Sequence, residues 1–292
     1  MPTRYRLSYY PWLTQHVPAA EIHSQIQSFA REVANALGDA VIDVLPPLEV
    51  GPQIDQLVSG GSEIALMNPL GYVFARRRMA EKGAGDAIQS VAIALRIIDG
   101  KVGDEYFGQI YTRDTTALRP DDPKLAEKMR GRTIAFGVPY STSNFLIPAY
   151  ELLQAGLHPL TSFKRIEYAG GHDHAAKSVY EGRADLGAGH DGVIIDLGNQ
   201  PGFGDAVKRM HTLIRSKPIP SDPVVVRAKD NTERNALQRA LVAAGDTVAG
   251  KAALARFWGL VQGLAPIAAD KYDVLNASMT ALNLSERDLL QG

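Results

Sequence analysis

Three adjacent hydroxyl residues, Ser141, Thr142 and Ser143, stand between a glycine turn and an apolar helical stretch. The start of a helix leaves backbone N–H groups without partners and carries a partial positive charge. Hydroxyls placed there add further donors, so the segment could hold an anion without any lysine or arginine. The same residues also fit a plain helix cap, with Ser141 or Ser143 accepting one amide. A second loop, Ala169-Gly170-Gly171-His172-Asp173-His174, also runs into a helical stretch. His172 at its edge could donate to an oxyanion; the alternative is that Asp173 caps the helix and both imidazoles face solvent. The two histidines lie two apart, not at the i, i+4 spacing of helical metal pairs, and neither an HExxH motif nor a cysteine accompanies them, so no metal site is expected. The third feature is the segment from Ser216 to Val226, which carries Pro218, Pro220 and Pro223. Prolines make it a stiff, extended crossing. Asp222 within it could accept a proton-bearing ligand oxygen or a ligand ammonium, or serve as a turn residue.

The elements that must position these residues alternate along the chain. Strands are expected at 5–10, 41–45, 63–67, 91–98 and 106–112, with helices at 20–37, 52–58 and 70–79 between them. The first helix is read from Ile22, Ile26, Phe29, Val33 and Leu37, at helical spacing and closed by Gly38. A second series follows: strands at 133–136, 165–168, 184–188 and 210–215, and helices at 125–130, 144–155, 173–181 and 192–197. From 232 onward only helices are expected. Repeated strand–helix alternation predicts an α/β chain with mostly parallel sheets flanked by helices. A length of 292 residues suits two domains. The expected boundaries are 1–107 plus 222–292 for the first, and 108–221 for the second.

Composition excludes several functions. The net charge of -1 provides no basic field for nucleic acid or an anionic membrane. Any anion site must therefore be local. The absence of cysteine removes disulfides, thiol nucleophiles and thiolate metal sites together. No P-loop or dinucleotide fingerprint is present, so no nucleotide cofactor is expected. No apolar run approaches a membrane span, and no signal-peptide h-region follows Met1. A periplasmic or lipid-anchored protein whose leader has been removed, and a cytosolic protein, both fit.

Ser141-Thr142-Ser143 at a helix start, then the loop ending in His172, then Ile219-Pro220-Ser221-Asp222-Pro223, in that order, resemble the phosphonate/phosphate-type substrate-binding proteins of ABC transporters. The resemblance runs from the first strand to about Arg227. It implies a two-lobed periplasmic binding protein fold of type II, each lobe a mixed, mostly parallel sheet flanked by helices, with the ligand in the interlobe cleft. It implies no catalysis and no cofactor. A small phosphorus oxyanion would be captured by hinge closure and delivered, by a monomer, to an ABC permease. By the same resemblance Ser141, Thr142 and Ser143 hold phosphonate oxygens, and His172, Asp222 and an acidic residue at or next to Asp191 contact the ligand. Family members that grip aminoalkylphosphonates carry two first-lobe tyrosines; here the matching positions fall near Glu49-Val50 and at Met67-Asn68. Asn68 could donate to an oxygen instead, and Tyr10 and Trp12, after the first strand, could supply an aromatic wall. Two alternatives stand beside this reading. One is a sensor protein docking on a receptor kinase. The other is a hydrolase using Ser141, His172 and Asp191 or Asp222, which lacks the GxSxG elbow.

Overall fold

The structure is a computed structural model and describes residues 2–11, 17–98, 100–259, 261–267 and 269–291. The chain opens with β1 (Thr3–Tyr9), α1 (Ala19–Leu37), β2 (Ala40–Val44), α2 (Val50–Ser59), β3 (Ile64–Leu66), α3 (Pro69–Glu81), β4 (Ile88–Ile98) and β5 (Lys101–Gly103). It continues with β6 (Glu105–Tyr106), β7 (Gly108–Thr112), α4 (Leu125–Met129), β8 (Thr133–Phe136), α5 (Ile147–Gln154), β9 (Arg165–Tyr168), α6 (His172–Tyr180), β10 (Leu186–His190), α7 (Val193–Gly198), α8 (Ala206–Arg209) and β11 (His211–Arg215). It closes with β12 (Ile219–Pro220), β13 (Pro223–Arg227), α9 (Asn231–Asp246), α10 (Val248–Trp258), β14 (Val261–Pro266), α11 (Asp273–Ala281) and α12 (Glu286–Gln291). No helix among the described residues is long and apolar enough to cross a membrane.

The chain divides into two compact units, Met1–Glu105 with Pro220–Asp273, and Tyr106–Ile219 with Val274–Gly292. In the first unit the sheet runs β14-β4-β13-β3-β1-β2, with β5 on β4. β1 pairs in parallel with β2 and β3, while β13, β14 and β5 join antiparallel. The sheets are therefore more mixed than strand–helix alternation predicts. β4 turns straight back into β5, β13 enters directly after β12, and β14 follows α9 and α10 to lie antiparallel on β4. α1 buries Ile22, Ile26, Phe29, Ala30 and Val33 as its spacing demands, and ends at Gly38 in a positive-φ turn.

β14 is the element that its sequence hides. Gly263 breaks the apolar alternation of Val261 and Leu264, and the ladder on β4 shifts register between Val261 and Gly263. α9 packs against this strand at Gly245, where a Cβ would lie 2.9 Å from Leu264 Cγ and 3.1 Å from its backbone nitrogen.

In the second unit the sheet runs β11-β7-β10-β8-β9. β8 pairs in parallel with both β9 and β10, and β7 lies antiparallel to β10 and β11. β8, β9 and β10 thus deliver their C-terminal ends to one edge of the sheet, the edge at which open α/β sheets hold ligands. The last two helices fall outside the division expected from sequence: Val274–Gly292 belongs to this second unit, not the first. Apolar contact explains the placement, since Leu282 and Leu289 share with Pro139, Phe145 and Tyr168 the walls of a cavity of about 510 Å³.

The turn after β8 has a specific construction. Thr142–Leu146 forms one π-helical turn, with the Leu146 N–H donating to the Ser141 carbonyl at 3.0 Å, before α5 begins. Pro148 in the first turn of α5 has no N–H to return to the carbonyl four residues back. That carbonyl, of Asn144, accepts from the Gly137 N–H at 3.3 Å instead. The Asn144 side chain folds back over Gly137, its Nδ2 donating to the Ala188 carbonyl of β10 at 2.5 Å. A Cβ on residue 137 would sit 1.8 Å from Asn144 Oδ1, so this position admits only glycine without a shift.

Two outcomes are expected in thermal and urea unfolding. Gly137→Ala must push Asn144 off the Ala188 carbonyl, and should lower stability by about 1–3 kcal/mol. Gly245→Ala, which meets the backbone of β14, should lower it by a similar amount, about 1–3 kcal/mol. Unchanged melting in either variant would contradict the corresponding close approach.

Candidate functional site

Two loops meet at the C-terminal edge of the parallel strands in the second unit. Phe136 and Tyr168 are register partners at the ends of β8 and β9. Past them the Ala169 N–H donates to the Phe136 carbonyl at 2.8 Å and the Gly170 N–H to the Gly137 carbonyl at 3.1 Å. The glycine turn that opens the hydroxyl segment is thus bonded to the loop that carries His172. Gly170, at φ +86°, gives that loop its left-handed corner.

Ser141 caps the π turn: its Oγ accepts from the Asn144 N–H at 3.1 Å. The cap reading of Ser141 therefore holds for its oxygen lone pair, while its proton remains a donor. Thr142, Ser143 and Asn144 are all buried. Thr142 Oγ1 is enclosed and has no hydrogen-bond partner among the described residues. Buried hydroxyls in folded proteins are nearly always paired, which makes this one a candidate ligand contact.

His172 is the first residue of α6. Its Nδ1 accepts from the His190 N–H at 3.2 Å. That bond fixes the neutral tautomer with the proton on Nε2, which makes Nε2 a donor. The ring lies tilted against His190 with 4.7 Å between centroids, and the His190 Nδ1 accepts from the Gly192 N–H at 3.1 Å. A histidine whose Nδ1 lone pair is engaged and whose Nε2 carries the proton offers no basic nitrogen to a serine. The triad of Ser141, His172 and an aspartate is thereby unsupported.

Asp191 follows β10, its N–H donating to the Phe107 carbonyl at 3.0 Å. Its carboxylate faces Arg215 at 3.8 Å, and the Arg215 guanidinium lies 3.9 Å from the centroid of the Phe107 ring. Gln109 on β7 holds the loop from below, donating to the His190 and Asp191 carbonyls at 3.0 and 3.3 Å.

The remaining expected residues belong to the first unit. Asp222 is buried, and its two oxygens have separate partners: Oδ1 accepts from Tyr10 at 3.0 Å and Oδ2 from the Arg96 guanidinium. Arg96 also donates to Ser221 Oγ at 2.8 Å and to the Trp258 carbonyl at 3.2 Å. Tyr10 accepts from Trp258 Nε1 at 3.2 Å and packs edge-on to Phe257. Burial, with the Asp222 charge beside it, raises the Tyr10 phenol well above its ordinary range, so it remains a donor. Tyr10 was expected as an aromatic wall; here it is a core residue that orients Asp222. Asn68 caps α3, accepting from the Gly71 N–H at 2.6 Å. Trp12 lies outside the described residues.

Sequence reasoning missed Arg96, Arg215, Asn144 and His190. Arg96 did carry a signal: a lone guanidinium inside the apolar run Val91–Ile98 must find a partner when that strand is buried. Asn144 carried none, because its role arises from Pro148 and Gly137 acting together.

A family model for phosphonate periplasmic substrate-binding proteins of ABC transporters matches residues 13–272. Among curated proteins, none matches the chain. Solved structures share its fold. The binding protein component of an ABC phosphonate transporter from Pseudomonas aeruginosa is 16% identical, with a TM-score of 0.69 over 97% of this chain and 87% of that one. PhnD1 from Prochlorococcus marinus, in complex with methylphosphonate, is 18% identical, with a TM-score of 0.72 over 97% of this chain and 99% of that one. A Xanthomonas citri protein bound to ATP is 17% identical, with a TM-score of 0.68 over 96% and 97%. The family is one of transport proteins and not of enzymes, which sets aside the hydrolase alternative. Its model spans both units and every candidate site residue from Asn68 to Asp222, and the chain belongs to the periplasmic substrate-binding proteins of phosphonate ABC transporters.

Proposed function

We propose that this chain binds a small tetrahedral phosphorus oxyanion, of the phosphonate, phosphate or phosphite class, and delivers it to an ABC permease. The observation that carries the reading is the buried, unpartnered hydroxyl of Thr142. An enclosed hydroxyl with no acceptor costs about 1–3 kcal/mol in the ligand-free protein. A phosphorus oxyanion supplies that acceptor, and further acceptors for Ser141, Ser143 and the amides of the first turn.

The donors at this edge are neutral apart from the helix dipole and, beside Asp191, Arg215. Hydrogen bonds from neutral donors to a charged acceptor are roughly twice as strong as neutral pairs. His172 Nε2–H adds a donor whose direction is fixed by the His190 amide. Selectivity then lies in geometry, which suits a chain of net charge -1. Ligand binding favours one state of the protein over another, and that state is what a permease reads. The methylphosphonate held by the Prochlorococcus protein of the same fold supports this choice of ligand class.

Two variants separate the roles of the hydroxyls. Ser143→Ala should weaken binding of the best phosphorus oxyanion at least tenfold, about 1.4 kcal/mol, in titration calorimetry. Thr142→Val removes a hydroxyl that has no partner among the described residues, so it should weaken ligand binding while leaving the ligand-free melting temperature unchanged or higher. A lower melting temperature with intact affinity in Thr142→Val would show that the hydroxyl serves the fold and not a ligand.

A further inference from the structure

The edge of the second unit's sheet opposite the candidate site carries a cavity of about 610 Å³. Three segments reach it: residues 113–116 after β7, Gly182, Ala184 and Asp185 before β10, and Lys208 and Arg209 before β11. The ladders put all three at one edge, because Thr112 pairs with both Leu186 and His211, while His190 pairs with Gly108 at the other end. The five residues of β10 hold the two edges about 15 Å apart. Arg113 and Arg209 converge on one residue, Tyr180. Arg113 Nη1 donates to its carbonyl at 3.3 Å, and the Arg209 guanidinium lies 4.3 Å from its ring centroid. Arg113 also lies across the bare Cα of Gly182, where a Cβ would collide with Nη2. The carboxylates of the cavity are engaged elsewhere. Asp114 accepts from the Ala117 N–H at 3.0 Å and faces Arg132 at 3.3 Å, and Asp185 accepts from the Thr133 N–H at 2.8 Å. Arg209 has Asp205 at 3.9 Å. Among the described residues neither Arg113 nor Lys208 forms an ion pair. Positive charges gathered in this way repel one another, and an anion between them relieves that repulsion.

We propose that this cavity is a second anion site, for a multiply charged anion of the diphosphate type, held by Arg113, Lys208 and Arg209. Guanidinium forks match pairs of phosphoryl oxygens, and the lysine adds a point charge. Only Gly182 and Ala184 in the lining carry no polar side chain, so nothing there favours an apolar body. The cations stand on separate segments around a wide cavity, which suits two linked phosphoryl groups better than one. This cavity and the site after β8 share no residue.

Titration calorimetry of inorganic pyrophosphate into the full chain tests the site. Pyrophosphate should bind the unmodified protein, more weakly as salt is added, and an excess of methylphosphonate should not displace it. Arg113→Gln should weaken that binding at least about tenfold, and Lys208→Gln at least about threefold. Both side chains are exposed, so both variants should melt as the unmodified protein does. If Arg113→Gln melts lower through the lost bond to Tyr180, Lys208→Gln carries the test. No pyrophosphate binding at about millimolar concentration overturns the proposal. Displacement by methylphosphonate, or unchanged affinity in the variants, also overturns it and puts pyrophosphate in another site.

Discussion

The contact between Gly137 and Asn144 holds the hydroxyl segment in place. Proline at 148 withdraws a donor from the first turn of α5, the turn loosens into a π turn, and the freed Asn144 carbonyl finds the Gly137 amide. The asparagine side chain then ties this turn to β10 through Ala188. Three strand ends and their loops are locked to one another by these few bonds. Hydroxyls carried on such a turn are preorganised: their backbone is set before any ligand arrives, so binding loses little conformational entropy.

The same edge is where the proposed anion site lies. The hydroxyls and amides of the turn after β8 and the His172 imidazole after β9 lie on two loops that are bonded to one another at that edge. The imidazole is held in the useful tautomer by a backbone amide, which does not titrate. The charged groups near the candidate residues come as matched pairs, Arg215 with Asp191 and Arg96 with Asp222.

Much of this was legible in the sequence. The strand–turn–helix reading at 133–156 and the loop ending in His172 both match the structure, since each rests on strong local signals: an apolar strand, glycine at the corner, polar residues at the helix start. The ordered combination with the Pro-rich segment around Asp222 identified the family. What stayed hidden depended on partners distant in sequence. Arg96 and Asp222 are 126 residues apart. Tyr10 reads as an aromatic wall for a ligand until Trp258 and Phe257 enclose it. β14 was invisible because a glycine interrupts its alternation, and the placement of the C-terminal helices depended on apolar contacts with Phe145 and Tyr168 that periodicity does not reveal.

In the proposed function an oxyanion takes its hydrogen bonds from the turn after β8 and from His172. Amide and imidazole NMR of the isotope-labelled protein, titrated with methylphosphonate, reads those donors directly. The largest downfield shifts are expected on the N–H groups of Thr142 and Ser143 and on the His172 ring N–H. Saturable shifts confined to other segments, with these signals unmoved, would contradict it.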